Sequence, residues 1–447
     1  MNQKTFDVIV AGGGTAGAIA GLAAARNGAR TLIVEKNRCL GGQFTAGMMG
    51  AWVGFSDKLH RCLGGIAWEL RNILNELGAV VDEDPETDVC YLYDTEVAKV
   101  VLADLAAREP NLTTYLNTQI VDVLQVGDTL SGLVILSEME LMEVRAEMIV
   151  DCTGDAAVAA KAGVPCEIRP KKEIQPMSLV GKMSGVDLAR VKAYYKEHPP
   201  VKDHMVAPSW REFKTFPGFM HYGFMDMLEG VELPPHLEYL RSWFGTFMSS
   251  PNEGEITINC SGAIASHSIE GFEEKTRQEN FSQKCLYDVA EALKRYVPGF
   301  ENAYLSAISG FLGVRESRRV LGDYKVTMDD FMAARDFEDS IGRGAMPAGY
   351  HTADGVTMIV YNLEPGKSMT IPYRCMVAKG KENLLVAGRC ASYEIEVANC
   401  IRCMPQCMAM GEAAGTAAAL AVKHSVTARR IDVGELQKIL KDNGGIL

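Results

Sequence analysis

The sequence predicts an α/β fold: a parallel-sheet domain carrying an antiparallel β-meander, interrupted by an inserted α+β unit. Three observations predict it. A strand, a glycine loop, a helix and a second strand open the chain. Short alternating segments follow from about residue 119. Glycine- and alanine-rich sequence returns after residue 311, behind a stretch of different composition. At 447 residues the chain is longer than one core usually organises. The expected division is 1–165, 166–310 and 311–447, with the first and last parts forming one domain around the middle one.

Asp7-Val8-Ile9-Val10-Ala11 reads as a buried parallel strand. Gly12-Gly13-Gly14-Thr15-Ala16-Gly17 then places glycines at the first, third and sixth positions of G-x-G-x-x-G. Residues 18–27 read as an Ala-rich helix ended by Gly28, and Thr31-Leu32-Ile33-Val34 as a second strand with Glu35 at its C-terminal end. This is a complete Rossmann-like unit for a dinucleotide. Gly12 permits the tight turn. Gly14 lets the backbone approach a pyrophosphate seated on the helix N-terminus, and Gly17 lets that helix lie close to the sheet. Glu35 is suited to the two hydroxyls of an adenosine ribose, and its charge argues against the 2′-phosphate of NADP.

Two glycines in Leu40-Gly41-Gly42-Gln43 suit a chain turning tightly over a cofactor, and Thr45-Ala46-Gly47-Met48 continues in small residues. Residues 69–77 look helical, and 95–107 form a clearer amphipathic helix stopped by Pro110. Three strands of a meander follow: Gln119-Ile120-Val121-Asp122-Val123-Leu124, Leu133-Val134-Ile135-Leu136 and Val144-Arg145-Ala146-Glu147-Met148. They feed Met148-Ile149-Val150-Asp151-Cys152-Thr153-Gly154-Asp155, a strand ending in a small-residue turn, and then a helix over 156–162.

Between 166 and 310 Pro, Tyr, Trp, Met and Phe become frequent, Ile256-Thr257-Ile258-Asn259 reads as a strand, and 268–296 mainly as one long helix closed by Pro298-Gly299. Asn383-Leu384-Leu385-Val386-Ala387-Gly388-Arg389 is a strand with a glycine turn. The Ala/Gly-rich helix expected over 404–423 is thin enough to pack tightly on a sheet or a cofactor.

A net charge of −12 argues against nucleic acid or an anionic membrane as partner. The longest run of small apolar residues, 413–422, is too short to span a bilayer. A strand begins by about residue 6 with no export pattern before it, so a cytoplasmic protein is expected, with most of its 12 cysteines as buried free thiols. A homo-oligomer is left open.

Taken together, these segments resemble the FAD-dependent oxidoreductase family within the glutathione-reductase-like flavoproteins. The resemblance spans nearly the whole chain. It also draws on Gly64-Gly65-Ile66, Gly313-Val314-Arg315-Glu316-Ser317-Arg318-Arg319, Ile371-Pro372-Tyr373-Arg374 and Arg402-Cys403-Met404-Pro405-Gln406-Cys407-Met408-Ala409-Met410-Gly411. It implies FAD extended through the first domain. Gly12, Gly14, Thr15, Ala16 and Gly17 would line the pyrophosphate, Glu35 and Lys36 the adenosine end, and the Val121 backbone the adenine. Thr153, Gly154 and Asp155 would close the diphosphate side. Gly41, Gly42, Gln43 and Thr45 would lie along ribityl and flavin, and Gly388 and Arg389 near pyrophosphate and ribitol. The backbone at Met404, Pro405 and Gln406, opening a helix, would face flavin N1/O2, where reduced flavin carries negative charge. One departure stands out. Family members often carry a Ser-Ala-Thr-His-Glu-Ala-like stretch where this chain has Ala391-Ser392-Tyr393-Glu394-Ile395-Glu396-Val397, so the histidine is absent.

The expected reaction is hydride transfer between a small organic substrate and flavin N5, with an unidentified electron acceptor or donor. A second G-x-G-x-x-G is not found. A non-enzymatic FAD-binding redox sensor or subunit and a thiol–disulfide flavoenzyme are the alternatives. Arg315 and Arg374 are candidates to hold a substrate carboxylate, while Arg318 and Arg319 suit ties through acids such as Glu316. His221 is a candidate base, with His204 and His267 among the other histidines of the middle region, and Tyr361 and Tyr222 are weaker acid–base candidates. Cys400, Cys403 and Cys407 would share one face if a single helix carried them, which is the basis of the thiol alternative. Metal-binding patterns such as H-E-x-x-H do not occur.

Overall fold

A computed structural model describes residues 3–81, 84–199, 210–213, 218–223, 227–228, 230–241, 246–259, 271–353 and 358–447. The chain opens with β1 (Val8–Ala11), α1 (Thr15–Arg26) and β2 (Thr31–Val34). Both strands are fully buried, which is why they read as unbroken apolar runs. Helix α1 starts three residues earlier than the sequence suggests, because Gly14 already serves as its N-cap. Helices α2 (Gly65–Glu76) and α3 (Thr95–Arg108) follow, the latter capped by Asp94, whose carboxylate accepts from the N–H groups of Glu96 and Val97.

Next come β3 (Leu112–Tyr115), β4 (Thr118–Val126), β5 (Thr129–Ser137), β6 (Glu140–Arg145) and β7 (Met148–Asp151). Strands β4, β5 and β6 pair antiparallel in turn. The expected third strand over 144–148 divides instead. Its first two residues end β6, Ala146-Glu147 turn the chain, and Met148 opens β7 in the other sheet.

A second, six-stranded antiparallel sheet is built from β8 (Val180–Ser184), β9 (Trp210–Glu212), β10 (Phe219–Tyr222), β11 (Thr246–Ser249), β12 (Ile256–Asn259) and β13 (Tyr304–Ile308), in the order β9-β10-β11-β12-β8-β13. Helices α4 (Leu188–Glu197) and α5 (Phe272–Tyr296) supply its core partners. The side chains alternate. Phe219, Phe247, Ile256 and Ile258 join the core shared with α4 and α5. Met220 and Met248 point the other way, against Ala51, Val81 and Leu92.

The hairpin β14 (Ala348–His351) and β15 (Met358–Tyr361) precedes β16 (Leu384–Val386), α6 (Ala398–Arg402) and α7 (Met404–His424). Strand β16 returns to the first sheet, which is parallel throughout in the order β16-β7-β1-β2-β3. Strand order reverses at β1, so the crevice at the carboxyl ends of β1 and β7 is where such a sheet binds ligands. The tightest approach of α7 is to α1 rather than to the sheet. A Cβ on Gly411 would stand 2.2 Å from the Ala16 carbonyl oxygen, and one on Gly415 2.1 Å from that of Ala20. Among the described residues no helix is long and apolar enough to cross a membrane.

Candidate functional site

Every loop that the glycine pattern singles out emerges at the carboxyl end of a parallel strand. Gly12 follows β1, Glu35 follows β2, Thr153 follows β7 and Gly388 follows β16. Gly12 has φ +90°, and a Cβ there would lie 2.7 Å from the Cys152 carbonyl oxygen. At Gly17 a Cβ would be 1.8 Å from the Gly12 oxygen. At Gly14 it would meet nothing within 4 Å. Two glycines are therefore required by the protein's own packing, whereas Gly14 borders an open lane. The second loop runs beside it: Gly41 donates to the Gly13 carbonyl at 2.8 Å, and the Thr15 hydroxyl donates to the Gly41 carbonyl at 2.9 Å. Gly42 brings backbone to backbone, since its Cβ would sit 3.0 Å from Gly14 Cα. The Thr45 hydroxyl closes this loop on the Leu40 carbonyl, and the Tyr93 hydroxyl lies within hydrogen-bond reach of the Phe44 and Met49 carbonyls.

Glu35 is buried, and both oxygens have protein donors. Gly13 N–H donates to one at 2.7 Å, and the Asn37 backbone and side chain donate to the other at 2.8 and 2.6 Å. The carboxylate thus braces the glycine loop, a role for Glu35 and Asn37 that the motif alone does not reveal. Lys36 is exposed beside it. Val121 occupies a break in the β4–β5 register, between Ile120 and Asp122, so its backbone lies outside the ladder on an edge strand.

Past β7, the Thr153 hydroxyl donates to Asp151, whose carboxyl burial pushes above its usual range. Asp155 holds the Arg389 guanidinium at 2.7 Å and accepts from the Ser317 hydroxyl, also at 2.7 Å. Gly154 and Gly388, both at positive φ, keep the backbone close to Arg389 and to Ala16.

The N-terminus of α7 lies at Met404-Pro405-Gln406, behind Cys403 as N-cap. The Gln406 side chain turns into the protein, donating to the Gly54 carbonyl at 2.8 Å, while its Oε1 is buried with no hydrogen-bond partner among the described residues. Gln43 lies against Gly313, whose Cβ would be 3.4 Å from Gln43 Nε2. Gly313 bridges to Ser178, at the approach to the second sheet.

The residues expected to take part in catalysis fall in different parts of the structure. His221 is buried on the helix-facing side of β10, with Nε2 2.9 Å from the Tyr195 hydroxyl and the two rings 4.6 Å apart. Strand alternation points it toward α4, away from the parallel-sheet half. Arg374 is half-exposed and paired with Asp339 at 2.9 Å, its guanidinium over the Tyr324 ring. It shares no partner with Arg315. Tyr361 ends β15, exposed, opposite Ala348. His204 and His267 lie outside the described residues, as does the Tyr222 side chain. Arg319 is buried beside Glu316 and donates to the Tyr393 carbonyl, and Arg318 donates to the Asp155 carbonyl. The three cysteines do not share a helix face. Cys403, at φ −60° and ψ 150°, separates α6 from α7.

Arg315 Nη1 donates to the Pro176 carbonyl at 2.6 Å. Arg402 was not singled out as a site residue in the sequence, although it directly precedes the cap of α7. Its Nη2 donates to Asn399 Oδ1 at 2.7 Å and to Gln175 Oε1 at 3.4 Å. Among the described residues, no group of three or more His, Cys, Asp or Glu is placed to hold a metal ion.

Open space at Gly14, beside two closely packed glycine loops at the switch point of a parallel sheet and at a helix N-terminus, is the architecture of a dinucleotide-binding protein. The family model of the FAD dependent oxidoreductases matches residues 7–440, and the chain belongs to that family. It is 26% identical over 192 residues to a digeranylgeranylglycerophospholipid reductase of Picrophilus torridus, a match covering 38% of this chain and 45% of that protein. The chain thus spans less than half the length of this curated relative. Among solved structures, it is similar to a geranylgeranyl bacteriochlorophyll reductase-like protein from Thermoplasma acidophilum, with 15% identity, a TM-score of 0.48, and 99% of this chain and 84% of that one covered. It is also similar to p-nitrophenol 4-monooxygenase from Pseudomonas putida, with 12% identity, a TM-score of 0.44, and 99% and 81% covered.

Proposed function

We propose that the protein transfers a hydride between a small organic substrate and flavin N5, in the cleft between the parallel-sheet half (1–165 and 311–447) and the middle region (166–310), which acts as substrate domain. The open space at Gly14 is the observation that carries this reading, because it leaves the pyrophosphate a place that no side chain claims. FAD supplies the redox chemistry when bound. The chain's own residues do the rest. Gly12, Gly14, Thr15, Ala16 and Gly17 cradle the diphosphate on α1. Thr153, Gly154, Asp155, Gly388 and Arg389 flank it. Glu35 and Lys36 meet the ribose, and the Val121 backbone the adenine. Gly41, Gly42, Gln43 and Thr45 bear on the flavin, and the N–H groups of α7 at Met404 and Gln406, with Pro405 setting the turn, favour negative charge at N1/O2.

The break at Cys403 weakens the thiol–disulfide alternative, because it puts Cys400 and Cys407 on different helices. Protein purified after flavin supplementation should be yellow and release FAD on denaturation. An anaerobic screen of small metabolites should find one that bleaches the flavin over repeated turnovers once an acceptor is added. Release of FMN alone, or of no flavin, would sink the reading.

A further inference from the structure

We propose that Arg315 and Arg402 together form the binding site for an oxyanion of the substrate, a carboxylate in the first instance. This deepens the reading above and rests on it, because it assigns the chemical class of what enters the same cleft. The two guanidiniums come from separate segments, yet fasten to neighbouring residues. Arg315 holds the Pro176 carbonyl at 2.6 Å, and Arg402 reaches the side chain of Gln175 at 3.4 Å. All of their acceptors, Pro176, Gln175 and Asn399, are neutral. Among the described residues neither arginine has a carboxylate within ion-pair distance. The acid next in line, Glu316, is already taken: Arg169 lies 3.2 Å from it and Arg319 3.7 Å, and Gln175 donates to it at 3.0 Å.

Arg315 carries its charge beside a second cation, with no carboxylate paired to it among the described residues. Burial, and then the neighbouring Arg402, push Arg315 down to about 9. Arg402 Nε is buried with no hydrogen-bond partner among the described residues, a donor still lacking its acceptor there. The positive end of α7 begins two residues further on and adds to the same field. Both arginines nonetheless keep part of their surface open to solvent. A planar oxyanion offers both forks what they lack: delocalised negative charge and paired acceptors. The diphosphate lane does not compete for them. It lies at Gly12–Gly17 with Asp155 and Arg389, whereas Arg315 and Arg402 grip the segment leading into β8.

The test uses FAD-loaded protein, with acetate, succinate, benzoate and inorganic phosphate as probes at constant ionic strength and the neutral amides of the same acids as controls. Binding is read from the visible flavin spectrum and, independently of the flavin, by calorimetry. At least one carboxylate should bind saturably and its amide should not. Arg315→Met and Arg402→Met should each weaken that binding tenfold or more with FAD stoichiometry and melting temperature near the parent's. Arg402→Lys should retain part of the affinity. Saturable binding of phosphate alone, lost in the same variants, supports the oxyanion site and names phosphate as its source. The proposal is overturned if no probe binds, if amides bind as well as acids, if the variants bind as the parent does, or if both lose FAD. A parent protein that carries no FAD contradicts the hydride-transfer reading instead, and calorimetry still decides the anion site.

Discussion

Gly14 and Gly17 are three residues apart and identical in type, yet they should fail in opposite ways when changed to alanine. At Gly14 the backbone has φ −66°, which alanine adopts freely, and the new Cβ meets nothing within 4 Å. Without flavin, Gly14→Ala should therefore cost less than about 1 kcal/mol, the ordinary penalty for alanine as an N-cap. With flavin, the methyl intrudes on the diphosphate lane. One methyl forced into a filled site costs about 1–3 kcal/mol, or roughly 5- to 150-fold in Kd, and Gly14→Val should abolish retention. At Gly17 the Cβ would lie 1.8 Å from a backbone oxygen, so α1 must move whether or not flavin is present. Gly17→Ala should lower the urea midpoint of flavin-stripped and loaded protein alike. The assay pairs urea denaturation of stripped protein with FAD titration by quenching of flavin fluorescence. If Gly14→Ala destabilises the stripped protein as much as Gly17→Ala does, or binds FAD like the parent, Gly14 does not border the cofactor lane.

Glu412 on α7 is buried, accepts from Ile66 N–H at the start of α2, and is pushed up by burial to about 7. Its charged form is disfavoured in the folded state, so stability from this group is full below pH 4.5 and is lost as pH rises to about 7. Glu412→Gln should remove that slope and, by the same difference, stabilise the protein by up to about 3 kcal/mol at pH 8; parallel urea curves for parent and variant between pH 5 and 8 would contradict this. Arg374→Met breaks only a half-exposed pair with Asp339 and should cost about 0–1 kcal/mol of stability while leaving FAD content and turnover unchanged; a large loss of turnover would return Arg374 to the substrate site. Cys403→Ser places a residue suited to capping ahead of α7, where Cys403 makes no side-chain cap bond, and should retain FAD and multiple-turnover activity; loss of turnover with FAD retained would revive the thiol mechanism.

The parallel sheet was legible because its central strands are buried on both faces and each ends in a glycine or carboxylate with a defined task. Strand β3, with Leu112–Tyr115 only half-buried at the sheet edge, carries no such signature and went unread. The second sheet was harder still. Strands β8 and β13 owe their identity to each other, one drawn from before α5 and one from after it, and no local pattern announces such a pairing. In the candidate site the glycines spoke plainly because their constraint is steric and local. The arginines did not, since all look alike in a sequence. Only the fold shows that Arg374 and Arg319 have acidic partners while, among the described residues, Arg315 and Arg402 have none.

The backbone contact between α1 and α7 also has a consequence for how the protein is made. Ala16 is synthesised long before Gly411. Until then the glycine loop lacks the helix that packs against it and the N-terminus expected to face the flavin. Contacts so distant in sequence close slowly. Flavin capture should therefore wait for the synthesis of α7, and a ribosome stalled before residue 400 should hold a nascent chain that does not yet retain FAD.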